Sequence, residues 1–142
     1  MHRGVGAIIS NENRQQYFLQ QKDEKYPVEE WKHAFSFWGG AVEKGETNTE
    51  ALFRELREEI QTSLSFDTQN VRLVETFLIT NAVEPYEFAL YEMVLSNSDF
   101  QLLTQAKILE GKGVVKPQKD LQNLFWIWGL EVVVEKYLSQ IP

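Results

Sequence analysis

Residues 40–62 read GAVEKGETNTEALFRELREEIQT, and the fold turns on how the middle of this stretch is wound. Leu52, Phe53, Leu56 and Ile60 recur at helical spacing, which predicts a helix over Thr47 to Ile60 with those residues on its core face. Thr47 or Asn48 can cap its first turn, and Glu50, three residues after Thr47, completes a capping box. Glu55, Glu58 and Glu59 fall on the other side, in a fan about 100° wide. Like charges at this spacing weaken a helix by a few tenths of a kcal/mol, and most lie beyond the first turn, where the helix dipole would favour them. One reading is a solvated acidic face eased by Arg54 and Arg57. The other is a site for a hard divalent cation, Mg²⁺ or Mn²⁺, which tolerates several carboxylates together and engages substrate phosphates. Spacing alone leaves both open.

The chain has 142 residues, enough for a single domain spanning 1–142. It contains no cysteine, which excludes disulfides, thiolate zinc sites and cysteine catalysis and fits a reducing compartment. Twenty-one acidic against 14 basic residues give a formal charge of −7. That balance argues against broad nucleic-acid or anionic-membrane binding, and it sets a problem for any phosphate ligand. No apolar run approaches the roughly 20 residues of a membrane span, and Val5 to Ile9 is too short and too early for a signal peptide. A soluble, cytoplasmic protein is expected.

Around the helix, Val5 to Ile9 and Gln15 to Gln21 read as a hairpin across the polar turn Ser10 to Asn13. Lys22 to Glu30 reads as a charged surface loop, and Trp31 to Trp38 as an aromatic stretch ending in Gly39-Gly40. Val71 to Ile79 and Tyr86 to Leu95 are expected as antiparallel strands. Leu102 to Leu109 is ambiguous between helix and strand. Gly111 to Gly113 is expected as a loop before a short strand at Val114-Val115. Pro117 to Asp120 then turns toward a short helix, and Trp128 to Leu138 reads as a C-terminal helix. The mixture predicts an α/β domain.

From Gly40 onward the sequence resembles the Nudix box, G-x5-E-x7-R-E-U-x-E-E-x-G-U with U aliphatic. Gly40, Glu46, Arg54, Glu55, Leu56, Glu58 and Glu59 match. From this composition such a match arises by chance on the order of 10⁻⁵ times per chain. The hairpin, the Phe-x-Gly-Gly run and the later Glu110-Gly111 pair also sit where the family has them. The resemblance implies a Nudix fold, an α/β/α sandwich with a mixed β-sheet in which the box is a loop-helix-loop. It implies Mg²⁺-dependent hydrolysis (Mn²⁺ being the other candidate) of a nucleoside diphosphate linked to another moiety, by water attack on phosphorus. Carried over by position, Glu55, Glu58 and Glu59 would hold the metal, with the Gly39 carbonyl as a further ligand. Arg54 would orient the carboxylates, paired with Glu46. The general base would be Glu55 or the loop residue Glu110.

Three positions depart from the pattern. Gln61 stands in place of glycine, so either a left-handed Gln costs roughly 1 kcal/mol or the helix ends differently. Thr62 replaces an aliphatic residue, and Trp38 stands where proline is common. These departures raise the alternative of a catalytically silent nucleotide-binding module. The marks associated with ADP-ribose or diadenosine polyphosphate substrates are absent, Phe77, Leu78 and Ile79 standing there instead. A MutT-like nucleoside triphosphate pyrophosphohydrolase is favoured, with a nucleotide-sugar or other nucleotide diphosphate hydrolase as the alternative. Trp31, Phe35, Trp126 and Trp128 are candidate substrate-binding residues, with Phe37 and Tyr86 behind them. Trp126 and Trp128 would share a face if extended, and His33 could reach a phosphate. The oligomeric state is left as monomer or homodimer.

Overall fold

The computed structural model describes all residues, Met1–Pro142. In chain order the elements are β1 (His2–Ser10), β2 (Gln16–Gln21), β3 (Phe35–Ser36), β4 (Trp38–Ala41), α1 (Asn48–Glu59), β5 (Ile60–Gln61), β6 (Arg72–Ile79), β7 (Tyr86–Val94), α2 (Asn97–Thr104), β8 (Lys107–Ile108), β9 (Lys112–Pro117) and α3 (Glu131–Gln140). The main sheet runs β3-β2-β1-β7-β6, with β4 added on β1 and β9 on β2. β1 and β7 are parallel and the other pairs antiparallel, so the sheet is mixed as expected. β5 and β8 form a separate two-stranded ribbon.

Strand parity divides the core. Val5, Ala7, Ile9 and Phe18 face α1 and α2, meeting Leu52, Leu56, Phe100 and Leu103. Ile8, Tyr17, Leu19 and Leu90 face α3, meeting Val133, Val134 and Tyr137. Fully burying each large apolar side chain contributes about 1.5–3 kcal/mol, and two covered faces make the α/β/α sandwich. No helix is long and apolar enough to cross a membrane.

The structure differs from the sequence reading in several places. The aromatic stretch before Gly39 is two short strands, β3 on β2 and β4 on β1, with a 3-10 turn at Glu29–Trp31 ahead of them. The ambiguous segment is neither wholly helix nor wholly strand, since α2 stops at Thr104 and β8 follows. Lys112 and Gly113 belong to β9 rather than to a loop. α3 starts at Glu131, and Trp128, within a 3-10 turn, has φ 52° and ψ 33°. Trp126 and Trp128 therefore do not share a face.

On the α3 side the Glu92 carboxylate is buried beneath the sheet and accepts from Arg14 (2.8 and 3.1 Å), Arg72 (2.7 Å) and the Tyr137 hydroxyl. Burial works to raise its pKa, but hydrogen bonds from Arg14, Tyr137 and Arg72 outweigh it and bring it down to about 2. The folded value lies below the ordinary 4.5. The network's stabilisation is therefore complete above that pH and drains as pH falls toward about 2. Urea midpoints measured between about pH 5 and pH 3 should decline, and Glu92→Gln should flatten that decline while lowering stability at neutral pH. Equal acid sensitivity in variant and wild type would refute the assignment.

Candidate active site

Thr47 caps α1 as read from the sequence. Its hydroxyl accepts from the Glu50 N–H (3.2 Å), and the Glu50 carboxylate accepts from the Thr47 N–H (2.9 Å). Arg54 then ties the helix to the loop before it. Its guanidinium donates twice to Glu46 (2.7 and 3.0 Å), to Glu55 (2.9 Å), to Glu58 (3.3 Å) and to the Ala41 carbonyl (3.0 Å). The planar fork of arginine is what allows one side chain to hold that many acceptors at once. Glu46, paired with Arg54 and accepting also from the Glu43 N–H, is drawn down to about 2 and stays ionised.

β4 brings Gly39 and Gly40 beneath the same helix by pairing with Gly6 and Val5 of β1. A Cβ on Gly40 would sit 2.6 Å from the Glu55 carboxyl carbon, so the missing side chain is the space that Glu55 occupies. Gly39 has φ +156°, and a Cβ there would lie 2.1 Å from the Val5 carbonyl oxygen. Its N–H donates to Glu59 (3.0 Å). Trp38, the departure at this point, is fully buried, stacks on Phe18 (5.1 Å) and donates its indole N–H to the Phe18 carbonyl (2.8 Å), anchoring the strand that carries Gly39.

Glu59 is buried, whereas Glu58 is exposed. Burial pushes the Glu59 carboxyl up to about 8, with the Gln20 hydrogen bond opposing and the charges of Glu55 and Glu110 adding to the rise. Burial likewise raises Glu55, against the pull of Arg54. Glu59 meets only neutral donors, the Gly39 N–H and the Gln20 amide (2.9 Å). A buried carboxylate with no ion pair, beside the half-buried Glu55 that Arg54 holds, forms a hard-oxygen donor set that suits a divalent cation. As the side chains stand, no three acids converge on one position, because Glu58 leans on Arg54 and Glu59 on Gln20 and Gly39.

Gln20 and Lys22 went unnoticed in the sequence. Lys22 is not on a surface loop: it is only 7% exposed, and its ammonium donates to Gln20 (2.9 Å) beneath the rings of Tyr26 (5.1 Å) and Trp128 (5.7 Å). The signal was strand parity, since Phe18, Gln20 and Lys22 alternate onto the α1 face. Gln20 also donates to the Glu110 carbonyl (3.1 Å), and Lys22, Tyr26, Pro27 and Glu110 line a cavity of about 410 Å³. Of the aromatic candidates, Phe35 and Trp126 are buried in the α3-side core, as is Phe37. Trp31 stacks on Phe125 (5.6 Å) near the surface, and Trp128 is 40% exposed. Tyr86 donates its hydroxyl to the Trp128 carbonyl (3.0 Å), and His33 is exposed.

The box therefore assembles in space: Arg54, Glu46, Glu55, Glu58, Glu59 and the Gly39–Gly40 turn of strand meet at one end of the sheet. The family model for the NUDIX domain matches residues 1–122. The chain belongs to the Nudix family. As a Nudix enzyme it is a hydrolase of diphosphate bonds, and the family acts on small nucleotide substrates with divalent metal ions. The fold is shared with the MutT protein of Methanosarcina mazei Go1 (TM-score 0.71, 13% identity, covering 98% of this chain and 94% of that one). A MutT protein of Bacillus halodurans is similar (0.66, 19%, covering 99% and 84%), as is an Ap4A hydrolase of C. elegans (0.65, 17%, covering 98% and 96%). No curated protein sequence matches the chain significantly.

The Nudix helix ends in a way that the motif does not predict. Ile60 has φ −124° and ψ 115°, and Gln61 continues as β5 against Lys107. Gln61 is thus extended, and the cost of a left-handed residue does not arise. Thr62 accepts from the Leu64 N–H (3.2 Å) beside a separate groove of about 450 Å³ that touches none of Glu55, Glu58 and Glu59.

Proposed function

We propose that the protein hydrolyses a nucleoside diphosphate linked to another group, with a nucleoside triphosphate as the favoured substrate and Mg²⁺ or Mn²⁺ as the cation. The observation that carries this reading is the buried Glu59 carboxylate, held only by the neutral donors Gly39 N–H and the Gln20 amide, with Glu55 on the same helix and Lys22 bonded to that same Gln20. Glu55, Glu58 and Glu59 would hold the metal, with the Gly39 carbonyl as a further ligand. When bound, the metal neutralises the diphosphate and acidifies the attacking water. Arg54 aims Glu55 and Glu58 by ion pairing, and Glu46 fixes Arg54 in turn. Lys22 offers a positive charge to the phosphates, and Trp128, beside it and half open to solvent, offers a face for the base. A left-handed tryptophan is strained by about 1–3 kcal/mol, which fits a functional position.

The proton of the attacking water goes to Glu110 or Glu55. Glu110 is exposed, has no ion pair, and its charge reaches both Glu55 and Glu59. Glu110→Gln is expected to lower kcat by about 10²-fold or more with KM little changed. A loss well under tenfold would assign the proton to Glu55.

The substrate is tested by a phosphate-release screen over nucleoside triphosphates, nucleotide sugars and dinucleoside polyphosphates with each cation. Pyrophosphate from a triphosphate is the expected product. Release from a nucleotide sugar alone would move the reading to that class, and binding without release would make the protein a silent module.

A further inference from the structure

The two open edges of the sheet are built differently. β9, paired only with β2, reads Lys112-Gly-Val-Val-Lys-Pro117, and its two lysines and terminal proline are features that keep a second chain from adding to an edge. β6, paired only with β7, reads Arg72-Leu-Val-Glu-Thr-Phe-Leu-Ile79 and has no lysine, proline or glycine over eight residues. Leu73 and Leu78 on that edge are 50% and 58% exposed.

These leucines are five positions apart, so a regular strand would point them to opposite faces. The register of β6 on β7 slips between Leu73 and Glu75. The bulge resets the alternation: Leu73 pairs with Tyr91, Thr76 with Ala89 and Leu78 with Glu87, all odd positions of β7. Leu73, Thr76 and Leu78 therefore share one face, spaced evenly about Thr76.

From this geometry we infer that β6 is a homodimer edge, on which a second copy of the chain pairs antiparallel to extend the sheet. A two-fold axis perpendicular to the sheet keeps every residue on its own face, so the register must place a residue opposite itself. With Thr76 on the axis, Leu73 of each copy faces Leu78 of the other, and both exposed leucines are covered. Arg72 faces Ile79 and Glu75 faces Phe77, so no like charges meet. Arg72 is moreover engaged by Glu92, and Glu75 by Gln140 (2.9 Å). The strand is self-complementary only because of its bulge. This inference is independent of the substrate.

Sedimentation equilibrium from about 1 µM to about 500 µM should show the mass rising from 16.6 kDa toward twice that value. Leu78→Lys should raise the dimer dissociation constant at least about tenfold while the far-ultraviolet circular dichroism and melting temperature stay unchanged. Combining it with Leu73→Glu should restore association, because the register brings the new acid of one copy against the new base of the other. The chain has no cysteine, and directly opposed residues lie about 4.5–5.5 Å apart between Cα atoms. Thr76→Cys should therefore cross-link to itself on mild oxidation, whereas Leu78→Cys alone should not. A mass of 16.6 kDa throughout, a dimer indifferent to Leu78→Lys, or a dimer that Thr76→Cys fails to cross-link would each overturn the assignment.

Discussion

Glu59→Gln is expected to lower kcat/KM by about 10³-fold or more, about 4 kcal/mol of transition-state stabilisation, while the fold persists. The amide has the size of the acid, and its oxygen still accepts from the Gly39 N–H. Against Gln20 it sets one amide donor facing another, and Gln20 cannot turn to relieve this, because its oxygen accepts from Lys22 and its amide also donates to the Glu110 carbonyl. The loss of a buried, cation-short charge works in the opposite direction, so net stability should change by no more than about 1 kcal/mol. What disappears is the negative charge that would hold a cation against the substrate diphosphate. A second readout separates this from a mere packing defect: Mg²⁺ should raise the melting temperature of the wild type and leave that of the variant unchanged. Wild-type turnover, or an unchanged Mg²⁺-induced shift, would show that Glu59 is not part of a metal site.

Gly39→Ala should have the largest effect on stability. The new methyl would lie 2.1 Å from the Val5 carbonyl oxygen and 2.7 Å from the Gly6 Cα, both backbone atoms in the middle of the sheet. Neither can move without breaking the β1–β4 pairing, and the φ of +156° is itself one that L-residues avoid. A loss of about 3–4 kcal/mol follows, or roughly 10 °C in melting temperature for a domain of this size. Gly40→Ala is the informative contrast. There the overlap is with the Glu55 carboxyl group, the free end of a side chain, so the protein should melt near the wild type but lose activity as Glu55 is pushed aside. Similar melting temperatures for the two variants would mean that the Gly39 contact relaxes more easily than its geometry implies.

The box was legible because its chemistry is local. Capping, the Arg54–Glu46 pair and the carboxylate fan lie within one loop and one helix, where spacing converts directly into position. Gln20 and Lys22 were not legible as candidate site residues, because Gln20 meets a helix nearly 40 positions away and Lys22 reaches it only through Gln20. Lysine followed by acidic residues looks like solvated chain whatever lies above it. The fate of Gln61 depended on a partner, Lys107, whose segment is too short to declare itself as a strand. The tryptophans divided on burial, which alternation suggests only when a segment is extended, and Trp128 is not. The bulge in β6 left no mark in the sequence beyond the odd spacing of two leucines.

The β5–β8 ribbon, small as it is, joins two parts of the proposed active site that are far apart in sequence. Ile60 and Gln61 pair with Ile108 and Lys107, and the Leu109 N–H donates to the Glu59 carbonyl (2.9 Å). The segment leading to Glu110 is therefore laced by its own backbone to the last residue of the carboxylate helix. A loop left free would have to be gathered in at every turnover, at an entropic cost paid each time. Here the gathering is done once, when the chain folds, and the spacing between Glu59 and Glu110 is inherited by every substrate that arrives.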